Sequence, residues 1–297
     1  MKIVENIDSL KKELNISREK NLKVGFVPTM GALHAGHISL IKKAKQTCDV
    51  VVVSIFVNPA QFGPKEDLDQ YPRNIETDAK FCEDAGVDIV FVPQEQEIYP
   101  ITDDTLHISY PKYTTRLCGS FRPGHFDGVL LVMTKLLNIV DPDVCFMGMK
   151  DGQQLILIEK LVQDLELDIK VEGCSTLREE SGLAMSSRNS YLSESERNSA
   201  EKVNEALDVV VSKHIADLKT GIEIQKAYLQ DNALIIQYFE LVNRENLESV
   251  SKVEQGPYML CIAVLCGDTR LIDNYFIDVE STGEIKIDKG TRITNSQ

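Results

Sequence analysis

The sequence predicts an α/β protein: a doubly wound parallel sheet followed by a smaller α+β domain. Two observations carry that expectation. Through residue 173, short apolar runs alternate with stretches of helical periodicity, the pattern of a parallel sheet with helical crossovers. After about residue 176 the order changes, with two helical stretches followed by three strand-like ones. That places the domains at residues 1–176 and 177–297.

Val4, Ile7, Leu10 and Leu14 recur at helical spacing, so residues 4–14 read as a helix. Lys23–Val27 reads as a buried strand and residues 36–46 as the next helix. The run from Asp49 to Val57 is almost wholly apolar and β-branched, as suits a central parallel strand. After a loop rich in proline, a helix near 75–86 leads to a strand at 87–92. The alternation continues with a helix at 128–140, a strand at 143–147, a helix at 151–166 and a strand at 168–173. In the second domain, helices are expected at 194–213 and 221–232, and strands at 235–242, 258–266 and 271–278. The polar tail from Gly283 reads as loosely held.

Composition narrows the function classes. A formal net charge of −14 and a pI near 4.9 argue against a nucleic-acid or anionic-membrane surface. No apolar run approaches the length of a membrane span, and the N-terminal stretch has no export-signal pattern. The seven cysteines show no zinc spacing and sit mostly in apolar contexts, as core residues of a reducing compartment do. A cytoplasmic protein is expected.

The most informative segment is Val27-Pro-Thr-Met-Gly-Ala-Leu-His-Ala-Gly-His37, a strand-to-helix junction with two histidines three residues apart. The spacing puts both imidazoles on one face of a starting helix, whose N-terminus favours anions. Phosphate binding and a two-histidine metal site are both open on spacing alone, although the segment offers no third metal ligand. Met185-Ser186-Ser187-Arg188-Asn189 offers hydroxyls and a guanidinium to phosphate oxygens, or is a polar loop ending at a helix cap. Met147-Gly148-Met149-Lys150-Asp151-Gly152-Gln153-Gln154 follows a strand, where an α/β site belongs. Lys150 suits a phosphate there, while Asp151 suits a ribose hydroxyl or a helix cap. Asn58 and Gln61 follow the most buried strand and suit a neutral polar part of a substrate, or turn chemistry around Pro59. Arg122-Pro-Gly-His125-Phe reads as a carboxylate-binding loop. No glycine-rich phosphate loop is present at a suitable place.

Taken in order, PTMGALHAGH, VVVSIFVNPAQF, DLDQYPR, RPGHFDGV, KDGQQL and REESGLAMSSRN resemble the pantoate–β-alanine ligase family. The family belongs to the nucleotidylyltransferase superfamily, so the resemblance implies a Rossmann-like HIGH-type fold. It further implies an ATP-dependent ligation of pantoate with β-alanine through pantoyl adenylate, with AMP and pyrophosphate released. Mg²⁺ is implied with the ATP, no tightly bound organic cofactor is implied, and a homodimer is. Carried over by position, the resemblance gives catalytic roles to His34, His37, Lys150, Ser186, Ser187 and Arg188. It gives ATP contacts to Met30, His37, Gly148, Lys150, Asp151, Leu177, Met185, Ser186, Ser187 and Arg188. Pantoate falls to Met30, Gln61 and Gln154, β-alanine to Asn58, Arg122 and His125, and the magnesium to Asp78 through water.

The chain departs from the family pattern at Met147, Met149 and Gly152, where an aromatic, a glutamate and a tyrosine are usual, which implies a looser pantoate wall. Cys118 stands where an acidic residue is common. Another nucleotidylyltransferase acting on a small metabolite is the alternative, set against by the NPAQF and KDGQQ contexts. A silent nucleotide-binding module would be expected to lack His34, His37, Lys150 or Arg188, and all four are present.

Overall fold

The computed structural model describes residues 1–64, 66–101, 106–215 and 217–293. The chain packs as two compact units. One comprises Met1–Thr115, Arg122–Gly148 and Gln154–Cys174; the other comprises Arg116–Phe121, Met149–Gln153 and Ser175–Gln297. Two short excursions, 116–121 and 149–153, therefore pack with the second unit although the sequence division places them in the first.

The first unit opens with strand β1 (Lys2–Val4) and helix α1 (Ile7–Glu19), then β2 (Val24–Thr29), α2 (Ala35–Thr47) and β3 (Val50–Ile55). Next come α3 (Ile75–Asp84), β4 (Ile89–Phe91), and two one-turn helices, α4 (Glu95–Ile98) and α5 (Pro111–Thr114). The one-turn helix α6 (Cys118–Phe121) lies in the first excursion. Then follow α7 (His125–Val140), β5 (Val144–Gly148), α8 (Gly152–Asp164) and β6 (Lys170–Cys174). The six strands form one sheet in the order β1-β4-β3-β2-β5-β6, with every pairing parallel. Every residue of β3 is buried, which is why its Val-Val-Val-Val-Ser-Ile run shows no alternation. Leu40, Ile41 and Ala44 of α2 join Val27, Val51 and Val53 in the core on one face of the sheet. The strand order reverses between β2 and β5. In open α/β sheets that switch point, at the carboxyl ends of the strands, is where ligands bind.

Val4 belongs to β1, an edge strand pairing with β4, and not to the first helix as the periodicity suggests. A three-residue strand with only Val4 even partly buried leaves no pattern to read. Asn6 caps α1 by accepting from Ser9 N–H at 2.9 Å, so the helix starts at Ile7.

The second unit holds β7 (Leu177–Arg178), α9 (Glu194–Lys213), α10 (Leu218–Asp231), β8 (Leu234–Asn243), β9 (Gly256–Cys266), β10 (Thr269–Val279), β11 (Ile285–Asp288) and β12 (Thr291–Arg292). β8 to β11 form an antiparallel sheet in the order β11-β10-β9-β8, and β12 pairs parallel with β7. Leu207 and Val210 of α9 and Leu229 of α10 share a core with Leu260, Ile262 and Val264 of β9. The expected loose tail instead supplies two strands; residues 294–297 lie outside the described residues. Its polar alternation reflects a sheet edge, where β11 buries little. Among the described residues no helix is long and apolar enough to cross a membrane.

One ion pair is sealed inside this unit. Arg178, 1% exposed, meets Asp273, 3% exposed, through two parallel bonds, Nη1–Oδ2 at 2.6 Å and Nη2–Oδ1 at 2.9 Å. Arg178 also donates to the Gly182 carbonyl at 3.1 Å and the Lys289 carbonyl at 2.5 Å. It thereby ties the 177–185 hairpin and the C-terminal strands to β10. Removing one partner of such a pair strands a buried charge, a loss of roughly 3–5 kcal/mol. Asp273→Asn is expected to lower the unfolding free energy in urea by about that much, through a lower midpoint with the slope of the transition unchanged. An unchanged midpoint contradicts the assignment of the pair as an anchor.

Candidate functional site

In the first unit the candidate residues gather around the carboxyl end of β2 and the loop after β3. β2 ends at Thr29, and the turn Met30–Leu33 leads into α2, whose N-cap is His34. Gly31 and Ala32 are both left-handed, with φ of +82° and +51°. A Cβ on Gly31 would stand 2.9 Å from Asp78 Oδ2 and 3.0 Å from Ile55 Cγ2, so this turn requires glycine there.

The two histidines hold each other in a reciprocal cap. Gly36 N–H donates to His34 Nδ1 at 3.1 Å, and His34 N–H donates to His37 Nδ1 at 3.3 Å. The rings lie 4.1 Å apart, tilted by 42°. With Nδ1 of each ring accepting from backbone, the hydrogen of each neutral imidazole sits on Nε2. The helix end thus spends some of its backbone donors on its own imidazoles and presents ring N–H groups in their place.

The loop after β3 is held by a chain of amides. Asn58, 1% exposed, accepts from Tyr99 Oη–H at 2.7 Å and Ala60 N–H at 3.3 Å. It donates to the Gly128 carbonyl at 3.2 Å and Gln61 Oε1 at 3.0 Å. Gln61 in turn donates to Met30 Sδ at 3.1 Å, so two of the three expected pantoate residues lie side by side. A Cβ on Gly128 would collide with the Ala60 carbonyl, so α7 packs against this turn at backbone contact. Gln154 stands half-buried in the first turn of α8.

Several of the expected substrate and metal residues also carry structural bonds here. Asn58 is buried with both amide hydrogens and its oxygen engaged, which suits holding Gln61. Arg122 is clasped by Glu66, at 2.7 Å and 2.6 Å, and donates to His125 Nε2 at 2.9 Å. An arginine can only donate, so His125 carries its hydrogen on Nδ1 and gives it to the Gln61 carbonyl at 2.8 Å. Burial pushes the Glu66 carboxyl up, but the hydrogen bonds and charge of Arg122 outweigh it and hold the group below its ordinary value. Arg122 and His125 are thus tied to the Gln61 loop. Asp78, the expected magnesium residue, is 2% exposed and receives Ala32 N–H at 2.9 Å and Leu33 N–H at 2.8 Å. Cys82, one turn along α3, has its thiol pushed up to about 12 by burial and by the Asp78 charge. Among the described residues no group of three His, Cys, Asp or Glu side chains stands close enough to hold a metal ion.

In the second unit, residues 177–185 form a tight hairpin that places two expected adenine-side residues together. Met185 N–H donates to the Leu177 carbonyl at 3.0 Å, and Gly182 turns the corner with φ +98°. Ser186 then caps the 3₁₀ turn Ser187–Tyr191 by accepting from Arg188 N–H at 3.3 Å. Sequence reading passes over Glu179 and Asn189, which brace this turn. Asn189 donates to Glu179 Oε1 at 3.0 Å and to the Ala184 carbonyl at 3.1 Å, and Glu179 also pairs with Arg197. The signal was available in the paired Arg178-Glu179 ahead of a glycine turn, but their partners lie far off in sequence.

Lys150 and Asp151 lie on a 3₁₀ turn, with Lys150 Nζ 3.6 Å from Asp151 Oδ1. Asn274 fastens that turn by donating to the Met149 and Lys150 carbonyls at 3.0 and 2.8 Å. The space a Cβ on Gly152 would need is taken by Met259 Sδ, 2.5 Å away, so the missing tyrosine leaves no gap at this position. By contrast, a Cβ on Gly148, in the first unit, would meet nothing within 4 Å.

The "Pantoate-beta-alanine ligase" family model matches residues 2–276. A pantothenate synthetase of Caldicellulosiruptor saccharolyticus is 45% identical over 94% of this chain and 100% of its own length. One from Acetivibrio thermocellus is 44% identical over the same shares. Among solved structures, the Thermus thermophilus pantothenate synthetase superposes with a TM-score of 0.86 at 37% identity, covering 92% of this chain and 98% of that one. A Francisella tularensis pantoate-β-alanine ligase, in complex with beta-gamma ATP and β-alanine, gives a TM-score of 0.77 at 37% identity, covering 92% and 97%. With a parallel sheet whose switch point carries a histidine-capped helix, and with relatives matched almost end to end, the chain belongs to the pantoate–β-alanine ligase family.

Proposed function

We propose that this ATP-dependent pantoate–β-alanine ligase works in two half-reactions. The pantoate carboxylate attacks the α-phosphorus of ATP, and the bond to pyrophosphate breaks. The β-alanine amine then attacks the acyl carbon of the mixed anhydride, AMP leaves, and the amine gives up a proton. Neither step requires an enzyme nucleophile; both require stabilisation of shifting phosphate charge. The observation that carries this reading is the reciprocal cap, which commits Nδ1 of both His34 and His37 and so leaves Nε2–H as the ring donor of each neutral imidazole, the donor this reading assigns to the triphosphate.

The resemblance supports roles for Lys150, Ser186, Ser187 and Arg188 as further phosphate donors. Leu177 and Met185 pack along the adenine, and Gly148 and Asp151 serve the nucleoside. Met30, Gln61 and Gln154 receive pantoate, with Asn58, Tyr99, Arg122 and His125 holding Gln61 in place. Mg²⁺ enters as part of the MgATP substrate. The resemblance also supports a cytoplasmic homodimer, which light scattering of the purified protein tests. The decisive assay is AMP formation that requires pantoate and β-alanine together; AMP release independent of either sets the reading aside.

His34→Ala and His37→Ala are each expected to slow pantoate-dependent pyrophosphate release on the order of 10²–10³-fold, the usual effect of deleting one charge-stabilising donor. Near-normal release in both contradicts their role. Lys150→Ala is expected to cripple adenylation yet leave the attack of β-alanine on supplied pantoyl adenylate much less affected; equal damage to both half-reactions removes Lys150 from pyrophosphate departure. Gly128→Ala forces α7 off the Asn58–Gln61 turn, an overpacking of about 1–3 kcal/mol. Its KM for pantoate is expected to rise several-fold with KM for ATP little changed, and a rise in both alike counts against Gln61 as a pantoate residue.

A further inference from the structure

We infer that Asp78 is a positioning residue: its buried carboxylate holds the Met30–His34 turn, and so the His34–His37 pair, and does not serve the magnesium of MgATP. The inference rests on the histidine roles above. It begins from a count of backbone donors. Gly31 N–H goes to Thr29 Oγ1 at 3.1 Å, and that hydroxyl donates to the Ser54 carbonyl at 2.7 Å. Ala32 N–H goes to Asp78 Oδ2 at 2.9 Å and Leu33 N–H to Asp78 Oδ1 at 2.8 Å. His34 N–H goes to His37 Nδ1 and Gly36 N–H to His34 Nδ1. A side chain thus answers every N–H from Gly31 to His34, and the two in the middle answer to one carboxylate.

That carboxylate is what makes the turn possible. Ala32 is left-handed at φ +51°, a conformation that a residue with a Cβ adopts only when its surroundings impose it. Two convergent N–H groups beside a left-handed pair form a pocket for an anion. Here the anion is already part of the chain, on the first turn of α3, where Asn74 caps the helix by accepting from Thr77 N–H at 3.0 Å. The packing is close as well: the Cβ position of Gly31 lies 2.9 Å from Asp78 Oδ2. A metal role fits poorly. Hard cations gather several oxygen ligands, whereas both oxygens of this buried carboxylate are already engaged by N–H groups and, among the described residues, it belongs to no group of three His, Cys, Asp or Glu side chains.

Asp78→Asn keeps the shape but turns one accepting oxygen into a donating amide that faces an N–H. It is expected to lower kcat for adenylation on the order of 10²-fold, as misplacing catalytic groups does, with the Mg²⁺ concentration giving half-maximal activity unchanged. A magnesium role predicts the opposite: a Mg²⁺ curve moved to higher concentration and activity recovered at saturation. In ¹⁵N spectra of ligand-free protein labelled at histidine, the wild-type His34 and His37 rings should read as Nε2–H tautomers. In Asp78→Asn they should move toward the average of the two tautomers, which a general loss of stability does not produce. A wild-type measurement guards against a variant that fails to fold: Mn²⁺ added without nucleotide should leave the Ala32 and Leu33 amide signals sharp. Selective broadening of those two signals, a displaced Mg²⁺ curve, or an Asp78→Asn enzyme with normal kcat and unchanged rings overturns the inference. Normal pyrophosphate release by His34→Ala and His37→Ala overturns the parent reading instead, whatever Asp78→Asn does.

Discussion

A buried strand that must become a helix under the rim of a parallel sheet leaves a run of N–H groups without ladder partners. Unpaired, each would cost about 1–3 kcal/mol. The turn after β2 answers them with side chains: Thr29, Asp78 from α3, and the two histidines. The supports are drawn from β2, α2 and α3, and together they make the turn a rigid fitting between strand and helix. The orientation of the imidazoles follows from that solution. They are helix caps first, and their tautomer is a by-product of capping.

The same economy recurs in the loop after β3. Asn58 joins Tyr99, Gln61 and α7, while Glu66, Arg122 and His125 form a second line ending on the Gln61 carbonyl. Gln61 is therefore gripped at its side chain by one network and at its backbone by another. In the second unit the Arg178–Asp273 pair and the Glu179–Asn189 contact do comparable work for the hairpin leading to Ser186. Polar groups buried this thoroughly specify a geometry more than they add stability.

What the sequence reveals and what it conceals divide along these lines. Helix α9 runs over Glu194–Lys213, the span its periodicity predicts, because Ser193 and Glu196 form a capping box legible at a spacing of three. The buried valines of β3 and the amphipathic α2 are legible for the same reason: the information is local. β1 is not, being three residues at an edge. Nor is the work of Asp78, whose partners Ala32 and Leu33 lie 46 and 45 residues away in sequence. His34 and His37 stand out as a motif, and their mutual capping does not, because ring tautomers depend on backbone geometry that composition cannot show. Asn58, Arg122 and His125 look like substrate residues in one dimension, and their part in bracing the Gln61 loop shows only in three.

Gly152 and Met259 behave as a single compound residue. The space a Cβ at position 152 would need is held from β9 by the Met259 thioether. Substituting either alone leaves a collision or a hole, so the effect of a change at 152 depends on what already stands at 259. Asn274 Nδ2 and Phe276 Cε2, each 3.1 Å from the same point, close the rest of that space, so any side chain at 152 asks several neighbours to give way. Grafting the family's aromatic into this chain one position at a time would misjudge both.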